Sequence, residues 1–356
     1  DIPDAKKTDI RAEAFVQRIP VCPGGNRYEG EDVMNVLLKQ AESYAYTEYK
    51  GKIQNWGYIA NLSLNRFYYS QRDNHSERYG FQPSLLVSYN PVDNLHFRYH
   101  INLKNNAPSI AYLNDVEQRI DILQTRRGNP DLKSFRSTIQ DFNAIFSTGI
   151  FSIDALVSYA YEKNPIMESV IYEEGMFIHT YENQKSFQHL AAEVTFNIKP
   201  WKDHISLSVT PGINRYISTG NNYLHTYTLK ELRINLDASY KNWLLSFMTI
   251  TPPNRYVYGE QLLKGDLMHT LMIGYKQPAW SIMAGIHNPF MKTYRSENAN
   301  WSALNPVKSD IHSTNMSNTI VVKLNFNLNF GRQYKGANKG IQNIDTDSGI
   351  LQGTKE

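Results

Sequence analysis

Four basic or titratable side chains alternate with apolar residues in one segment, residues 94–105. They are His96, Arg98, His100 and Lys104. Successive side chains of a β-strand point to opposite faces, so all four would share one face. Such a row could bind an anionic ligand in a water-filled lumen, or pair with acidic groups of neighbouring strands or of an enclosed plug domain. His96 and His100 would lie about 13 Å apart along a strand, too far to share a metal ion.

Other chemistry finds little support in the sequence. Serine and histidine are plentiful, but no nucleophile elbow or comparable catalytic spacing occurs, so we predict no enzymatic activity. Asp345 and Asp347 lack the twelve-residue pattern of a calcium loop. The single cysteine, Cys22, excludes an internal disulfide or a multi-cysteine metal site. The net charge is +3 and no basic block occurs, so the sequence indicates no positively charged surface for nucleic acid. We also expect no cofactor and no metal.

The alternation of residues 94–105 recurs along most of the chain. Residues 56–65, 151–161, 232–241 and 320–330 repeat it, each with one apolar and one polar face. Two architectures produce this pattern: a soluble sandwich, whose apolar face is its core, and an outer-membrane barrel, whose apolar face meets lipid. No stretch approaches 18 consecutive apolar residues, which excludes a transmembrane helix.

Three features favour the barrel. Several alternating segments run for about ten to fifteen residues, longer than the five or six of an ordinary soluble strand. Aromatic residues cluster at the segment ends, where interfacial girdles need them. The connections also differ by end, as periplasmic turns and extracellular loops do. Short joins lie near 50–52, 90–94, 148–149, 199–203, 241–242 and 276–278, and polar, mostly long ones near 70–79, 105–135, 162–186, 218–223, 252–265 and 288–317.

The sequence predicts an all-β fold, a transmembrane antiparallel β-barrel with about thirteen strands in this chain. A closed bacterial barrel has an even number of strands, and an open edge in lipid leaves backbone groups unpaired. We therefore expect the C-terminal portion of a larger barrel, or a wall that another polypeptide completes. The expected parts are an extracellular loop segment at 1–41, the barrel portion at 42–331 and a periplasmic tail at 332–356. The strands are expected near 42–50, 54–68, 79–90, 94–105, 136–147, 150–162, 186–199, 204–217, 224–240, 243–251, 266–276, 279–288 and 318–331.

One loop motif carries a family resemblance. Residues 107–113 are followed by a Gly-Asn-Pro-x-Leu-Lys block, formed by Gly128, Asn129, Pro130, Asp131, Leu132 and Lys133. This combination resembles the barrel region of TonB-dependent receptor-like outer-membrane proteins from Bacteroidetes. The resemblance implies a complete barrel of about 22 strands around an N-terminal plug. It also implies that TonB, acting through the plug, energises uptake of a ligand. The chain departs from many relatives at Ser134-Phe135, where they continue with Pro-Glu.

The block also has a structural interpretation, which we prefer over ligand contact. Gly128 would allow a positive φ, Pro130 fixes its own φ, and Asn129 before proline is pushed to extended geometry. Together these residues suit a sharp return from an external loop into the next strand. In the same loop, Leu113 and Leu123 begin and end a helical spacing of apolar residues, which predicts a short amphipathic helix on the barrel mouth.

Three functions are therefore compatible with the sequence. The first is a transporter of the TonB-dependent receptor type, in which this chain supplies lumen wall and extracellular loops. The second is a barrel kept as a scaffold in a multi-protein outer-membrane complex, and the third is a passive pore. The expected partners are outer-membrane lipid, the plug and remaining barrel strands in the same or a separate chain, and TonB. A surface lipoprotein is a further candidate partner.

Overall fold

The computed structural model describes residues 9–21, 36–71, 74–201, 204–252 and 256–327. These residues form 22 strands and one short helix. No helix in these ranges is long and apolar enough to cross a membrane. The elements are, in chain order, β1 Asp9–Val21, β2 Val36–Ile53, β3 Trp56–Gln71, β4 Asn74–Val92, β5 Leu95–Asn106, α1 Ile110–Leu113, β6 Gln118–Arg119, β7 Gln124–Arg126, β8 Phe135–Ser147, β9 Phe151–Lys163, β10 Ile166–Glu173, β11 Met176–Asn183, β12 Ser186–Trp201, β13 Ile205–Thr219, β14 Leu224–Tyr240, β15 Trp243–Ile250, β16 Tyr256–Tyr258, β17 Gln261–Gly265, β18 Met268–Lys276, β19 Trp280–His287, β20 Tyr294–Asn300, β21 Val307–Ser313 and β22 Thr319–Phe326.

One large antiparallel sheet dominates the fold. Its fourteen strands follow the order β1-β2-β3-β4-β5-β8-β9-β12-β13-β14-β15-β18-β19-β22. Each strand pairs with the next one of the sheet along the chain, as in an up-and-down barrel. Thirteen of the fourteen correspond to strands predicted from the sequence. The all-β transmembrane wall predicted from the alternation is confirmed.

The N-terminal part differs from the prediction. Residues 1–41 were expected to form an extracellular loop, but Asp9–Val21 forms strand β1, which pairs with β2 along its whole length, and β2 begins at Val36. The alternation of apolar and polar residues in β1 is interrupted at Phe15 and Arg18, so this strand could not be predicted from the period of the sequence. Its backbone pairing with β2 defines it in the structure. With β1 the count is even, and the parity argument for an incomplete barrel no longer holds.

The sheet is nevertheless open. In the described part of the chain, β1 and β22 do not pair with each other. The final strand was expected to run to residue 331 and to be followed by a tail at 332–356. Residues 328–356 lie outside the described residues, so the tail stays a prediction.

The two faces of the sheet differ sharply. Cross-strand partners share a face, and one row joins Ile205, Ala238, Leu245 and Ile273 on four consecutive strands of the sheet. On this apolar face large side chains remain exposed, for example Leu324 at 57%. A soluble sandwich would bury such a face in its core. The apolar face therefore meets hydrocarbon, and the opposite, polar face encloses solvent.

An aromatic girdle lines the apolar face near the short-turn end. Trp56 stacks on Tyr89 with ring centroids 4.3 Å apart, and the series continues through Phe97 to Phe142. Farther around the sheet the ring centroids of Trp201 and Tyr240 lie 6.4 Å apart, and those of Trp243 and Tyr275 lie 5.2 Å apart. Tryptophan and tyrosine side chains are amphipathic and favour the membrane–water interface. The girdle thus marks one edge of the membrane-spanning band.

The long connections at the other end form ordered structure. They contribute two four-stranded sheets, β10-β11-β7-β6 and β16-β17-β20-β21, which we name the first and second cap sheets. Two of the six connections at this end are short, because β3 and β4 extend to Gln71 and Asn74, and β13 and β14 extend to Thr219 and Leu224. The remaining four all leave the same end of the large sheet.

The helix predicted across residues 112–123 is wrong in its extent. Only Ile110–Leu113 is helical, and it begins where Ser109 Oγ accepts a hydrogen bond from Ala111 N. Asn114 is extended, and the amide nitrogens of Ile120 and Asp121 both donate to the carbonyl of Gln124 where the chain reverses between β6 and β7. Pairing within the first cap sheet therefore overrides the helical spacing.

The described hydrophobic core lies in this cap and not between the main strands. The first cluster joins Ile110, Leu113 and Leu132 of the loops to Phe67 and Tyr69 of β3. A second cluster consists of Met167, Phe187, Tyr216, Leu229, Val257, Leu262 and Ala299. By the strand registers, the wall residues of both clusters lie on the polar face. The cap therefore folds onto the face that encloses solvent and crosses it from β3 to β14.

Candidate functional site

A chain of polar contacts crosses the polar face within the membrane-spanning band. His100 of β5 faces Asp141 of β8, with 3.6 Å between Nδ1 and Oδ2, so that the two can form an ion pair when the imidazole is protonated. Ser158 of β9 donates to the other oxygen of Asp141 at 2.6 Å. Asn143 donates to Asp154 on the next strand. The carboxylates of Asp141 and Asp154 therefore each contact a polar side chain of a neighbouring strand.

The same ladder continues on β12 to β14. Arg233 of β14 donates to Glu193 of β12 across the intervening strand, where Gly212 carries no side chain. The hydroxyls of Thr195 and Thr210 lie 2.9 Å apart. Above them, His189 Nε2 lies 2.7 Å from Asn214 Oδ1, and its ring stacks on that of Tyr216. The wall presents alternating donors and acceptors at the solvent face.

The four residues predicted for this face do lie on it together, in register along β5. His96 Nδ1 donates to Asn90 Oδ1 at 2.9 Å, and His100 faces Asp141. Arg98 and Lys104 are exposed, and no hydrogen bond or ion pair joins either one to another residue that the structure describes. Two of the four are thus engaged within the wall, and two offer their charge to solvent.

A polar seam joins the two cap sheets. His179 of β11 lies 2.9 Å, through Nε2, from Gln124 Oε1, and its Nδ1 lies 3.5 Å from Glu168 Oε1. Asn305, in the loop before β21, donates to Gln124 at 3.1 Å. Gln261 of the second cap sheet donates to Glu168 at 3.4 Å. Only 12% of the His179 side chain is exposed, so the seam is largely withdrawn from solvent.

The second cap sheet is also attached to the wall. Tyr258 Oη donates to Glu162 of β9 at 3.0 Å, and its ring packs edge-on against Phe187 of β12, 4.8 Å between centroids. Burial, reinforced by the nearby Glu162 carboxylate, raises the pKa of Tyr258 far above its usual range, so the phenol stays protonated and donates. Gly259 N donates to Ser218 Oγ of β13 at 3.1 Å.

The Gly-Asn-Pro block lies under the first cap sheet, immediately before β8. Leu132 is 1% exposed in the first core cluster, Asn129 Nδ2 donates to the carbonyl of Tyr181, and Lys133 N donates to Asn183 Oδ1. Asn129 Oδ1 accepts from Asp131 N at 3.0 Å, which makes the turn around Pro130.

The sequence suggested that glycine is needed at position 128 for a positive φ, and this prediction is wrong. Gly128 does not have a positive φ. Its nitrogen donates to the carbonyl of Asn114 at 2.7 Å, and a Cβ would lie 2.5 Å from the carbonyl oxygens of Asn114 and Tyr112. Close approach of two backbone segments, rather than an unusual φ, requires glycine here.

Sequence reasoning missed the His179 seam and the Arg233–Glu193 pair. In both, the partners are separated by dozens of residues, and only strand register or loop packing brings them together. The alternation around Glu193 and around Arg233 predicts which face of the sheet each side chain lies on. It does not predict which residue of another strand each side chain contacts. Among the described residues, no group of three or more His, Cys, Asp or Glu side chains is placed to hold a metal ion.

A long antiparallel wall with a lipid-facing apolar side and a capped polar side defines an integral outer-membrane β-barrel protein. Residues 34–251, more than half of the chain, match the Outer membrane protein beta-barrel family, and the chain belongs to this family. No curated protein matches the sequence.

Solved structures of similar fold are transporters and receptors. The Copper transporter OprC is 12% identical with a TM-score of 0.58, over 90% of this chain and 55% of that one. The FrpB iron transporter from Neisseria meningitidis is 12% identical with a TM-score of 0.55, over 77% and 44%. The siderophore receptor PirA from Pseudomonas aeruginosa is 13% identical with a TM-score of 0.51, over 90% and 57%. At these identities the likeness shows the fold alone, and the chain spans about half the length of these structures.

Proposed function

We propose that this chain forms the C-terminal wall and external loops of a TonB-dependent receptor-like transporter for energised uptake of a ligand. The observation that carries the proposal is the cap. Two ordered loop sheets fold onto the polar face, cross it from β3 to β14, and join each other through the His179 seam. A passive pore has no need of a mouth closed by two packed cores. The transporters and receptors of similar fold support the same class.

The proposal includes an orientation and partners. The short turns and the tail at 332–356 face the periplasm, and the cap faces the exterior. The plug and the remaining strands come from the same polypeptide or from a separate chain, and TonB acts through the plug. Outer-membrane lipid surrounds the apolar face, and a surface lipoprotein is a further candidate partner. The Gly128–Lys133 block alone supports the Bacteroidetes affiliation.

Within the lumen, we assign ligand contact to the predicted row on β5. Arg98 and Lys104 present exposed cations, whereas His96 and His100 are held by Asn90 and Asp141. A negatively charged group on the ligand would meet these cations on its passage along the wall. Charge reversal of Arg98 and Lys104 is expected to reduce uptake without loss of the folded barrel.

Two measurements on the full-length polypeptide separate the candidate functions. A transporter of this type is silent in a planar lipid bilayer and binds the purified periplasmic domain of TonB. A passive pore gives steady ion conductance. A scaffold is silent, does not bind TonB, and co-purifies with other outer-membrane proteins. Conductance, or a silent barrel without TonB binding, would overturn the proposal.

A further inference from the structure

A groove of about 280 Å³ indents the apolar face near the short-turn end of β13, β14 and β15. Ala238 forms its floor, with Ile205 paired on one side and Leu245 on the other. Neighbouring strands lie about 4.8 Å apart, so a small residue between two larger ones leaves a channel along the strand direction. Trp201 and Trp243, 55% and 54% exposed, form the side walls.

Two basic groups lie at the turn end of this groove. His204 Nδ1 donates to the carbonyl of Ser239 at 3.0 Å, and its ring centroid is 4.9 Å from that of Trp201. This bond leaves the Nε2 edge of the ring directed away from the strand. Lys241 holds its amino group 5.4 Å from the centroid of the Tyr240 ring. The groove is therefore apolar along its length and ends beside an imidazole and an ammonium group.

We propose that this groove binds one acyl chain of an anionic phospholipid, with the lipid phosphate between His204 and Lys241. The apolar floor and the two indole walls fit a hydrocarbon chain. The Lys241 ammonium group and the His204 imidazole can both donate to a phosphate at interfacial depth. The proposal rests on the lipid-facing assignment of this face and on none of the uptake steps. Failure of TonB binding would leave it untouched.

The chain supplies a matched control position. Ala284 of β19 lies in the same row of the sheet, because Leu245 pairs with Ile273 and Ile273 pairs with Ala284. It is the same small residue on the same apolar face. Its next neighbour toward the turn on the same face is Ile282, and Ala284 is not one of the residues that line the groove at Ala238.

The test uses the full-length protein, delipidated in detergent and titrated with dioleoyl-phosphatidylglycerol or dioleoyl-phosphatidylcholine under native mass spectrometry. The wild-type protein is expected to retain one phosphatidylglycerol saturably. Ala238→Phe fills the groove and should weaken this binding at least tenfold, whereas Ala284→Phe should not change it. Both substitutions add a side chain that faces hydrocarbon, so both variants are expected to fold.

A charge variant tests the headgroup contact independently. His204→Gln with Lys241→Gln should remove the preference for phosphatidylglycerol over phosphatidylcholine while the groove stays open. Quenching of Trp201 and Trp243 fluorescence by dibrominated phosphatidylglycerol should fall in Ala238→Phe and persist in Ala284→Phe. Equal binding by the two phenylalanine variants, or equal binding of the two lipids to the wild-type protein, would overturn the proposal.

Discussion

Arg233 of β14 donates to Glu193 of β12 across β13, above the position of Gly212. The register explains the reach. Arg233 is paired with Thr210, and Glu193 is paired with Gly212 two residues farther along the same face of β13, so the arginine reaches diagonally over a position that carries no side chain. Both side chains are partly exposed, at 41% for Arg233 and 29% for Glu193. The pair joins strands that share no backbone hydrogen bonds.

Removal of this ion pair should loosen the wall by a measurable amount. A double-mutant cycle of Glu193→Gln and Arg233→Gln is expected to give a coupling free energy of about 1 kcal/mol, since the pair is only partly screened by solvent. The measurement is urea unfolding in liposomes. The Glu48–Lys50 pair on β2, in which the lysine is 55% exposed, is the control and should couple more weakly. A coupling indistinguishable from that of the control would contradict this interpretation.

Gly128→Ala should disrupt the first cap sheet. The new Cβ would lie 2.5 Å from two backbone carbonyl oxygens, which cannot move without displacing α1 and the Gly-Asn-Pro turn. We expect a destabilisation of about 1–3 kcal/mol, seen as faster hydrogen exchange in residues 110–133. Gly149→Ala is the control, because nothing lies within 4 Å of its Cβ position. Unchanged exchange in the Gly128 variant would refute the close-approach argument.

Tyr258→Phe should release the second cap sheet from the wall. The substitution leaves the ring on Phe187 but removes the hydrogen bond to Glu162. A bond to a charged group contributes about 1.5–3 kcal/mol, so hydrogen exchange in residues 256–265 should accelerate at least tenfold. Tyr172→Phe, at an exposed position, should change nothing. Equal exchange in both variants would show that the hydroxyl does not hold the cap.

The pairing of β20 with β21 in the second cap sheet should weaken in acid. Arg295 donates to both oxygens of Asp310, at 3.0 Å and 3.1 Å, and these bonds lower the pKa of the Asp310 carboxyl below its usual value. A depressed folded-state pKa contributes stability that is present above the unfolded pKa of about 3.8 and is lost as the pH falls through the folded pKa. Exchange in β21, corrected for intrinsic rates, should rise below pH 4 in the wild-type protein. Asp310→Asn should abolish that pH dependence, and a persistent dependence would assign it to another group.

The sequence predicted the wall better than the cap, for a physical reason. Alternation along a strand is local, so Leu232–Tyr240 and its partners could be placed on the correct face from their spacing alone. The meeting of His179 with Gln124, or of Tyr258 with Glu162, depends on how loops fold over the wall. No local pattern encodes that packing, and β1 escaped notice because Phe15 and Arg18 break its alternation.

The candidate site could likewise be predicted from the sequence only in part. The row from His96 to Lys104 could be assigned to one face because every second residue of a strand shares it. Which of its members would be paired could not be predicted, since Asp141 opposes His100 only through the register of β5 with β8. The motif at Gly128 precedes β8, but the crowding of its backbone by Asn114 depends on a contact between two distant points of the loop.

The opposite environments of the two faces are tested most directly by spin labels at neighbouring positions of β14, with Cys22 replaced by serine. Labels at Leu236, on the apolar face, and Asn235, on the polar face, are compared in liposomes by electron paramagnetic resonance. We predict that oxygen, which partitions into hydrocarbon, relaxes the label at 236 more strongly, and that water-soluble nickel-EDDA relaxes the label at 235. Relaxation of the 236 label by nickel-EDDA, or its protection from both reagents in a closed core, would contradict a lipid-facing sheet.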